Sequence, residues 1–456
     1  MLNASLLNGI IESIRLPEKS FKYFSSVSTD SRKMAKNALF VPLIGDRFNG
    51  HQFIQDAIAS GAAASLWEEN QPIPESMPND FQLYFVKNTL LALQQMAKAY
   101  RDEVNPVVIG VTGSNGKTTT KDLLSAVLTL HGETYKTLGN FNNHIGLPLT
   151  ILSMPNTTKY IVLEMGMSGF GEIALLSRIG APDVAVVTNI GESHMEQLGS
   201  REGIAKAKME IREGLKGGGF VIIDGDEQLL SPYVNERTYS VGFSHSCDAL
   251  LSSITPLEDG YSFSYGSTSF RIPLLGKHNV KNAGYSIAIA RILGVSDETI
   301  QRGLLSVSLT GMRLERQKGT NGETIINDAY NASPSSMIAA IETIKALQSY
   351  KKYIVVLGDM YELGPEEERL HRSVAKALEA PLTHLLFVGK KAKWIADEWK
   401  KTNMKQMAFF ATESKEEAAA YLHSIVDRDS VILFKASRGM KLEEIIAAYQ
   451  SQRKEE

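Results

Sequence analysis

Apolar positions along this chain gather in short runs, many of them apolar on both faces, separated by stretches in which they recur every three or four residues. Val107 to Val111 is such a run and reads as a buried parallel strand; after a glycine-containing loop, Leu123, Leu124, Val127 and Leu128 fall at helical spacing, with Gly132 as the stop. Tyr160 to Met165, apolar except for Glu164, and Asp183 to Asn189 repeat the strand signal. Towards the N-terminus, Ala38 to Leu43 and Ala62 to Trp67 read as strands on either side of a helix from His51 to Ser60 that Gly61 ends, and Leu90 to Arg101 reads as a further helix. Beyond residue 313 the strand runs are Thr324 to Ile326, Tyr353 to Leu357, His384 to Val388 and Val431 to Lys435. Strand and helix patterns that alternate in this way predict an α/β fold with parallel sheets covered on both faces.

Punctuation divides the chain into three α/β units. The stretch Gln71 to Asp80, with Pro72, Pro74 and Pro78, is loop; a linker precedes Pro106, and Gly311-Met312-Arg313 marks a second boundary. The expected units are 1–104, 105–312 and 313–456: a P-loop-type central domain built on a parallel sheet, an N-terminal substrate domain and a Rossmann-like C-terminal domain. A length of 456 residues suits that number. No internal repeat occurs at a fixed period, and the only biased tract is the charged C-terminal tail.

Charge and cysteine content narrow the setting. A net charge of −3 argues against a nucleic-acid partner, so any bound anion must be held locally. One cysteine, Cys247, rules out an internal disulfide framework and suits a reducing compartment. The first twenty residues lack a basic region and a small-residue cleavage site, and no apolar run reaches the length of a membrane span. A cytoplasmic monomer is expected.

The candidate chemistry starts at Thr112-Gly113-Ser114-Asn115-Gly116-Lys117-Thr118. Gly113 and Gly116 carry no side-chain bulk, so backbone N–H groups can close around a phosphate at a helix N-terminus; Lys117 adds a point charge, and Thr118 or Thr119 offers a hydroxyl to Mg²⁺. The usual pattern wants glycine where this chain has Val111, and Gly113 lies inside the loop instead. Glu164 and the Gly191 to His194 stretch sit at the C-terminal ends of predicted strands, the edge where open α/β sheets bind ligands. On the helix from Arg201 to about Leu215, capped by Ser200, Lys208 falls within the Ile204, Ile211 and Leu215 stripe, where an unpaired ammonium is costly. Lys206 faces the other way.

Three further clusters carry two readings each. Ser28-Thr29-Asp30-Ser31-Arg32 is either a self-capped turn or a site for a phosphorylated ligand, which Arg47 and Asn49 would extend. Asn140 to Gly146, with Asn143 at its centre, is either a polar turn or a ligand loop. Asn282, in the helix opening near Lys277, has the paired donor and acceptor that would read an adenine edge. The ends of the last strands carry Asp328, Asn331, Gly358-Asp359-Met360 and Ser437-Arg438.

Together these residues resemble the ATP-dependent Mur ligases of peptidoglycan synthesis over nearly the whole chain. The carriers are TGSNGKTT at 112–119, Glu164, His194 with Lys208 beyond it, GKHNVKNA at 276–283, GMR at 311–313 and NDAYNASPSSM at 327–337. Within the family, STDSR at 28–32, GNFNNHIGLP at 139–148 and GDMYELG at 358–364 look like the branch that adds D-Ala-D-Ala to UDP-N-acetylmuramoyl-tripeptide. The resemblance implies that Thr29, Ser31 and Arg32 meet the UDP part of the substrate and that residues 113 to 119, with Asn282, bind ATP. It matches Glu164 and His194 to magnesium ligands and makes Lys208 a carbamylated lysine beside a second Mg²⁺. It also puts Asp328 near the ribose and Arg313 near the γ-phosphate, with Asn143 as a substrate contact and with Asn331 and the 358–364 loop receiving the dipeptide.

Chemistry of that kind brings two anions together, because a substrate carboxylate must attack the γ-phosphorus of ATP. At about 4 Å two unit charges repel by about 1 kcal/mol in water and about 4 kcal/mol at an effective dielectric near 20, so the site needs cations. The competing classes explain less. A guanine-nucleotide switch would carry an N-K-x-D motif, and no asparagine here is followed by lysine. A sister ligase such as a folylpolyglutamate synthase is the close rival.

Overall fold

A computed structural model describes residues 1–15, 20–402 and 407–451; the charged C-terminal tail lies outside the described residues. The central sheet runs in the order Thr134–Lys136, Tyr160–Glu164, Val107–Thr112, Val184–Val187, Phe220–Asp224, Thr238–Gly242, Ala249–Leu257, Gly260–Tyr265 and Thr268–Ile272. The strands are parallel as far as Ala249–Leu257, and the last two are antiparallel. That antiparallel extension departs from the all-parallel expectation. Its physical cause is a solvated face: burial alternates along Gly260–Tyr265, and an Asp259-Gly260 corner closes the first hairpin.

Val107–Thr112 lies between Tyr160–Glu164 and Val184–Val187, with Val111 opposite Glu164 and Thr112 opposite Val187. Chain order reverses about this strand, and a crevice opens beyond the strand ends at such a switch point. The register therefore puts Glu164 level with the start of the glycine loop.

The C-terminal sheet runs Glu315–Lys318, Thr324–Asn327, Ser430–Lys435, Lys352–Gly358, His384–Val388 and Ala408–Thr412, antiparallel only in its first pair. The N-terminal sheet runs Ser13–Arg15, Gln82–Val86, Ala62–Glu68, Ala38–Phe40 and Val27–Ser28. The strand expected over Ala38 to Leu43 ends at Phe40 because Pro42 has no N–H to continue the ladder. The helix expected from His51 is a 3₁₀ turn over Gly50–Phe53 that becomes α-helical at Ile54–Ala59, and the Arg201 helix likewise tightens to 3₁₀ over Glu210–Gly214.

The cores reveal which units are fused. Leu39, Leu66 and Tyr84 of the N-terminal sheet share one apolar cluster with Leu147, Ile161 and Ile204 of the central unit. The C-terminal sheet has clusters of its own, one on each face, around Met337, Leu357 and Leu385 and around Ile432, Phe434 and Tyr449. Its connection to the centre turns through left-handed corners at Met312 and Leu314. Among the described residues no helix is long and apolar enough to cross a membrane.

Candidate active site

The glycine loop is shaped by two close approaches. Gly113 has φ +149°, and a Cβ there would come within 1.8 Å of Thr188 Oγ1; Gly116 has φ +82°, and its Cβ would lie 2.5 Å from Asn282 Oδ1. Val111, where the common pattern has glycine, is an ordinary buried strand residue. Asn189 holds the loop, its carbonyl accepting from Ser114 N at 3.1 Å and its Oδ1 from Asn115 N at 2.9 Å. No side chain caps the helix Lys117–Thr129, so its first N–H groups are left to an anion.

Around this loop a cleft of about 880 Å³ is lined from the central and C-terminal units. Thr118 Oγ1 donates to Glu164 Oε2 at 2.9 Å; Thr119 is buried beside it. Asn142 Nδ2 donates to the other oxygen, Oε1, at 2.9 Å. Lys117 Nζ donates to Gly113 O at 2.7 Å, and burial lowers its pKa. Lys121, fully buried, has its Nζ 3.8 Å from Glu164 Oε2 and 3.7 Å from Asp122 Oδ1 with no hydrogen bond. Burial lowers its pKa, against the pull of Glu164 and Asp122.

Lys208 is buried, as its place in the apolar stripe predicts, and its end lines the cleft. Burial first, then the charge of Lys117, takes its pKa well below the ordinary lysine value. Lys206 is exposed over the Phe170 ring. Arg313 stacks on Tyr330, 4.2 Å from the ring centroid, with Nε buried and unpaired. Lys117, Lys121 and Arg313 thus gather near Glu164, an excess of positive charge that suits polyphosphate.

His194, at φ +64°, turns its Nδ1 to Glu362 Oε2 of the C-terminal unit at 2.8 Å. Asp328 is level with the cleft, one oxygen 2.6 Å from Lys435 Nζ and the other accepting from Leu314 N. Asn331 lies exposed on the same side, accepting from its neighbour Ala332 N.

Asn282 lines the cleft behind Gly116 with part of its amide engaged: Nδ2 donates to Asn279 Oδ1 at 2.8 Å and Oδ1 accepts from Thr120 Oγ1 at 3.4 Å. Asn143 spends its Oδ1 on Ile145 N and Gly146 N, and the contact with Glu164 belongs to Asn142. In the turn at 28–32 Arg32 donates to both oxygens of Asp30 at 2.9 and 3.0 Å; Thr29, Ser31 and Arg32 lie in the N-terminal unit, apart from the phosphate cleft. Asn49 bonds His51 and Gln71. Spacing did not single out Asn142, Asn189, Lys121 or Lys435, and within the 358–364 loop it did not single out Glu362. A signal existed for Lys121, which stands in a stripe with Leu124 and Leu128 as Lys208 does in its own.

Profiles of known families match in three places: Mur ligase family, catalytic domain, at residues 23–101; Mur ligase middle domain at 111–290; and Mur ligase, glutamate ligase domain, at 312–438. The chain is 48% identical over 433 residues, 94% of each chain, to the UDP-N-acetylmuramoyl-tripeptide–D-alanyl-D-alanine ligase of Bacillus subtilis (strain 168). To the Escherichia coli (strain K12) ligase of the same name it is 33% identical over 439 residues, 93% of each chain. A crystal structure of MurF from Acinetobacter baumannii superimposes with a TM-score of 0.88 at 30% identity, covering 98% of both chains. That of MurF ligase from Thermotoga maritima in complex with ADP gives 0.81 at 29% identity, covering 93% of this chain and 97% of its own.

Proposed function

The chain belongs to the Mur ligase family, and from that premise we infer that it joins D-alanyl-D-alanine to UDP-N-acetylmuramoyl-tripeptide with ATP, a step of peptidoglycan precursor synthesis. The observation that carries this reading is the 48% identity extending over 94% of both chains to a ligase of that name. The cleft supports it independently, since a carboxylate and a triphosphate meeting in one place require the cations assembled there.

We assign the parts as follows. Backbone N–H groups of the 113–119 loop and the Lys117 ammonium hold the phosphates of ATP, Asp328 and Arg313 approach the nucleotide from the C-terminal unit, and the N-terminal unit takes the UDP end of the muramyl substrate. The three sheets act as three working units with boundaries near 104 and 312. The tripeptide's terminal carboxylate attacks the γ-phosphorus to give an acyl phosphate and ADP; the dipeptide's ammonium gives a proton to solvent, its nitrogen attacks the acyl carbon, and the amide forms as a second proton and the phosphate leave together as hydrogen phosphate. The reaction belongs in the cytoplasm, where ATP and the nucleotide-linked precursor are found.

For Mg²⁺ the residues present fit. Thr118 Oγ1 and Glu164 Oε2, 2.9 Å apart, are hard oxygen donors, and among the described residues no three His, Cys, Asp or Glu side chains are placed to share one ion. That suits a cation held by one carboxylate, a hydroxyl and substrate phosphates. When bound, magnesium would neutralise phosphate charge. His194 and Lys208 suit a second ion only if Lys208 is converted to an anion. Its depressed pKa supplies a neutral amine whose lone pair attacks CO₂: the nitrogen–carbon bond forms, the nitrogen loses a proton to solvent, and a carbamate carboxylate results.

The direct test is phosphate release from ATP, which should require both the UDP-linked tripeptide and D-Ala-D-Ala. A free amino acid such as D-glutamate replacing the dipeptide with equal efficiency would refute this branch of the family.

A further inference from the structure

The carboxylates lining the cleft are Glu164, Glu172, Asp224, Asp328 and Glu362, and all but the last are committed elsewhere. Glu164 receives Thr118 and Asn142, and Glu172 accepts from the backbone N–H groups of Ser168 and Gly169. Asp224 is paired with Lys281 and Asp328 with Lys435, at 2.7 and 2.6 Å. Glu362 meets neither lysine, arginine nor backbone N–H among the described residues. Its contact is the His194 imidazole, and its side chain is 58% exposed towards the cleft.

The segment that presents Glu362 is fixed on both sides. Asp359 Oδ1 accepts from Lys391 N and Ala392 N, Met360 N donates to His371 Nε2 at 3.0 Å, and Tyr361 N donates to Ser437 Oγ at 2.9 Å. Leu363 is buried, and Gly364 sits against Glu196 of the central unit. Glu362 itself has φ +63°, a left-handed conformation that a residue with a Cβ adopts only where its surroundings enforce it. A carboxylate whose one partner is the His194 imidazole is thus held in a pinned corner of the cleft wall.

We propose that Glu362 receives the α-ammonium of the incoming D-alanyl-D-alanine, an assignment that rests on the function inferred above. The dipeptide arrives as a zwitterion, and the phosphate end of the cleft, with Lys117 and Arg313 on its wall, repels its ammonium. An anion in the pinned corner offsets that repulsion and orients the nitrogen, which attacks once it has given a proton to solvent. The ammonium takes the place of His194 as partner of Glu362, which leaves the imidazole free to face the cleft.

The test is a cycle that deletes the carboxylate and the ammonium separately. Glu362→Gln should raise the KM for D-Ala-D-Ala at least tenfold while the KM values for ATP and UDP-tripeptide stay within about twofold, and Glu362→Asp should recover part of the loss. D-lactyl-D-alanine, with a hydroxyl in place of the ammonium, should inhibit wild type and Glu362→Gln with equal Ki. Unchanged dipeptide KM, or an equal loss for D-lactyl-D-alanine, overturns the assignment. A wild-type enzyme whose phosphate release does not depend on the dipeptide overturns the function itself, and the assignment with it.

Discussion

Replacing Lys208 by methionine should make the protein more stable and nearly inactive, two effects of opposite sign from one side chain. Lys208 is 2% exposed, its end lines the cleft, and the charge that acts on it is another cation, Lys117. A nearly buried amine without a protein hydrogen bond costs up to about 1–3 kcal/mol, and methionine fills a similar volume without that cost. The gain is therefore expected at about 1–3 kcal/mol in urea or thermal unfolding. Its pH dependence has a definite sign. A lysine whose folded pKa lies below its unfolded value binds fewer protons in the folded state between the two, so wild-type stability rises with pH across that window, at up to about 1.4 kcal/mol per unit. The advantage of the methionine variant is then greatest on the acid side and narrows as pH approaches the ordinary lysine value of 10.5. Phosphate release should fall by about 10²–10³-fold or more, the loss usual for removing one preorganised electrostatic group. A variant less stable than wild type would show that the ammonium is paired and structural, and near-normal turnover would remove Lys208 from the chemistry.

Other outcomes follow from the same geometry. Lys208→Ala should keep ATP binding by titration calorimetry and regain part of its turnover with added acetate or formate, while Lys206→Ala, on the exposed side, should be nearly silent; severe loss without rescue would count against the carbamate. Gly113→Ala should lose ATP binding by at least about a hundredfold, because its Cβ would meet Thr188 Oγ1 at 1.8 Å and the backbone must yield. In the N-terminal unit burial lowers the pKa of His51 from 6.5 to about 4, and its Nε2 accepts from Glu68 N. Folded protein binds fewer protons than unfolded between those values, so up to about 3 kcal/mol of stability should be lost from pH 6.5 to 4, and a His51→Asn variant should lack that slope in urea titrations. An ATP analogue with muramyl substrate should reduce the radius of gyration, the C-terminal unit moving against the other two, which share a core; unchanged scattering would refute closure.

The sequence alone determined whatever is written in local chemistry and period. The strand from Val107, the loop with Gly113 and Gly116, the helix behind it and the inward Lys208 each depend on residues a few positions apart, where spacing fixes direction. Tertiary structure decided which of several equivalent groups meets a given partner. Neither Thr118 over Thr119, nor Asn142 over Asn143, follows from spacing; each follows from a register that sets Val111 opposite Glu164 and brings that carboxylate to one of the two. The same holds for Asn282, whose amide meets Asn279 and Thr120, and for Arg32, which folds onto Asp30. Glu362 meets His194 across two units far apart in the chain, and Lys121 finds Glu164 through helix-on-sheet packing. Hydrogen-bond partners are won by competition among all the groups within reach, and only the folded chain says which groups those are.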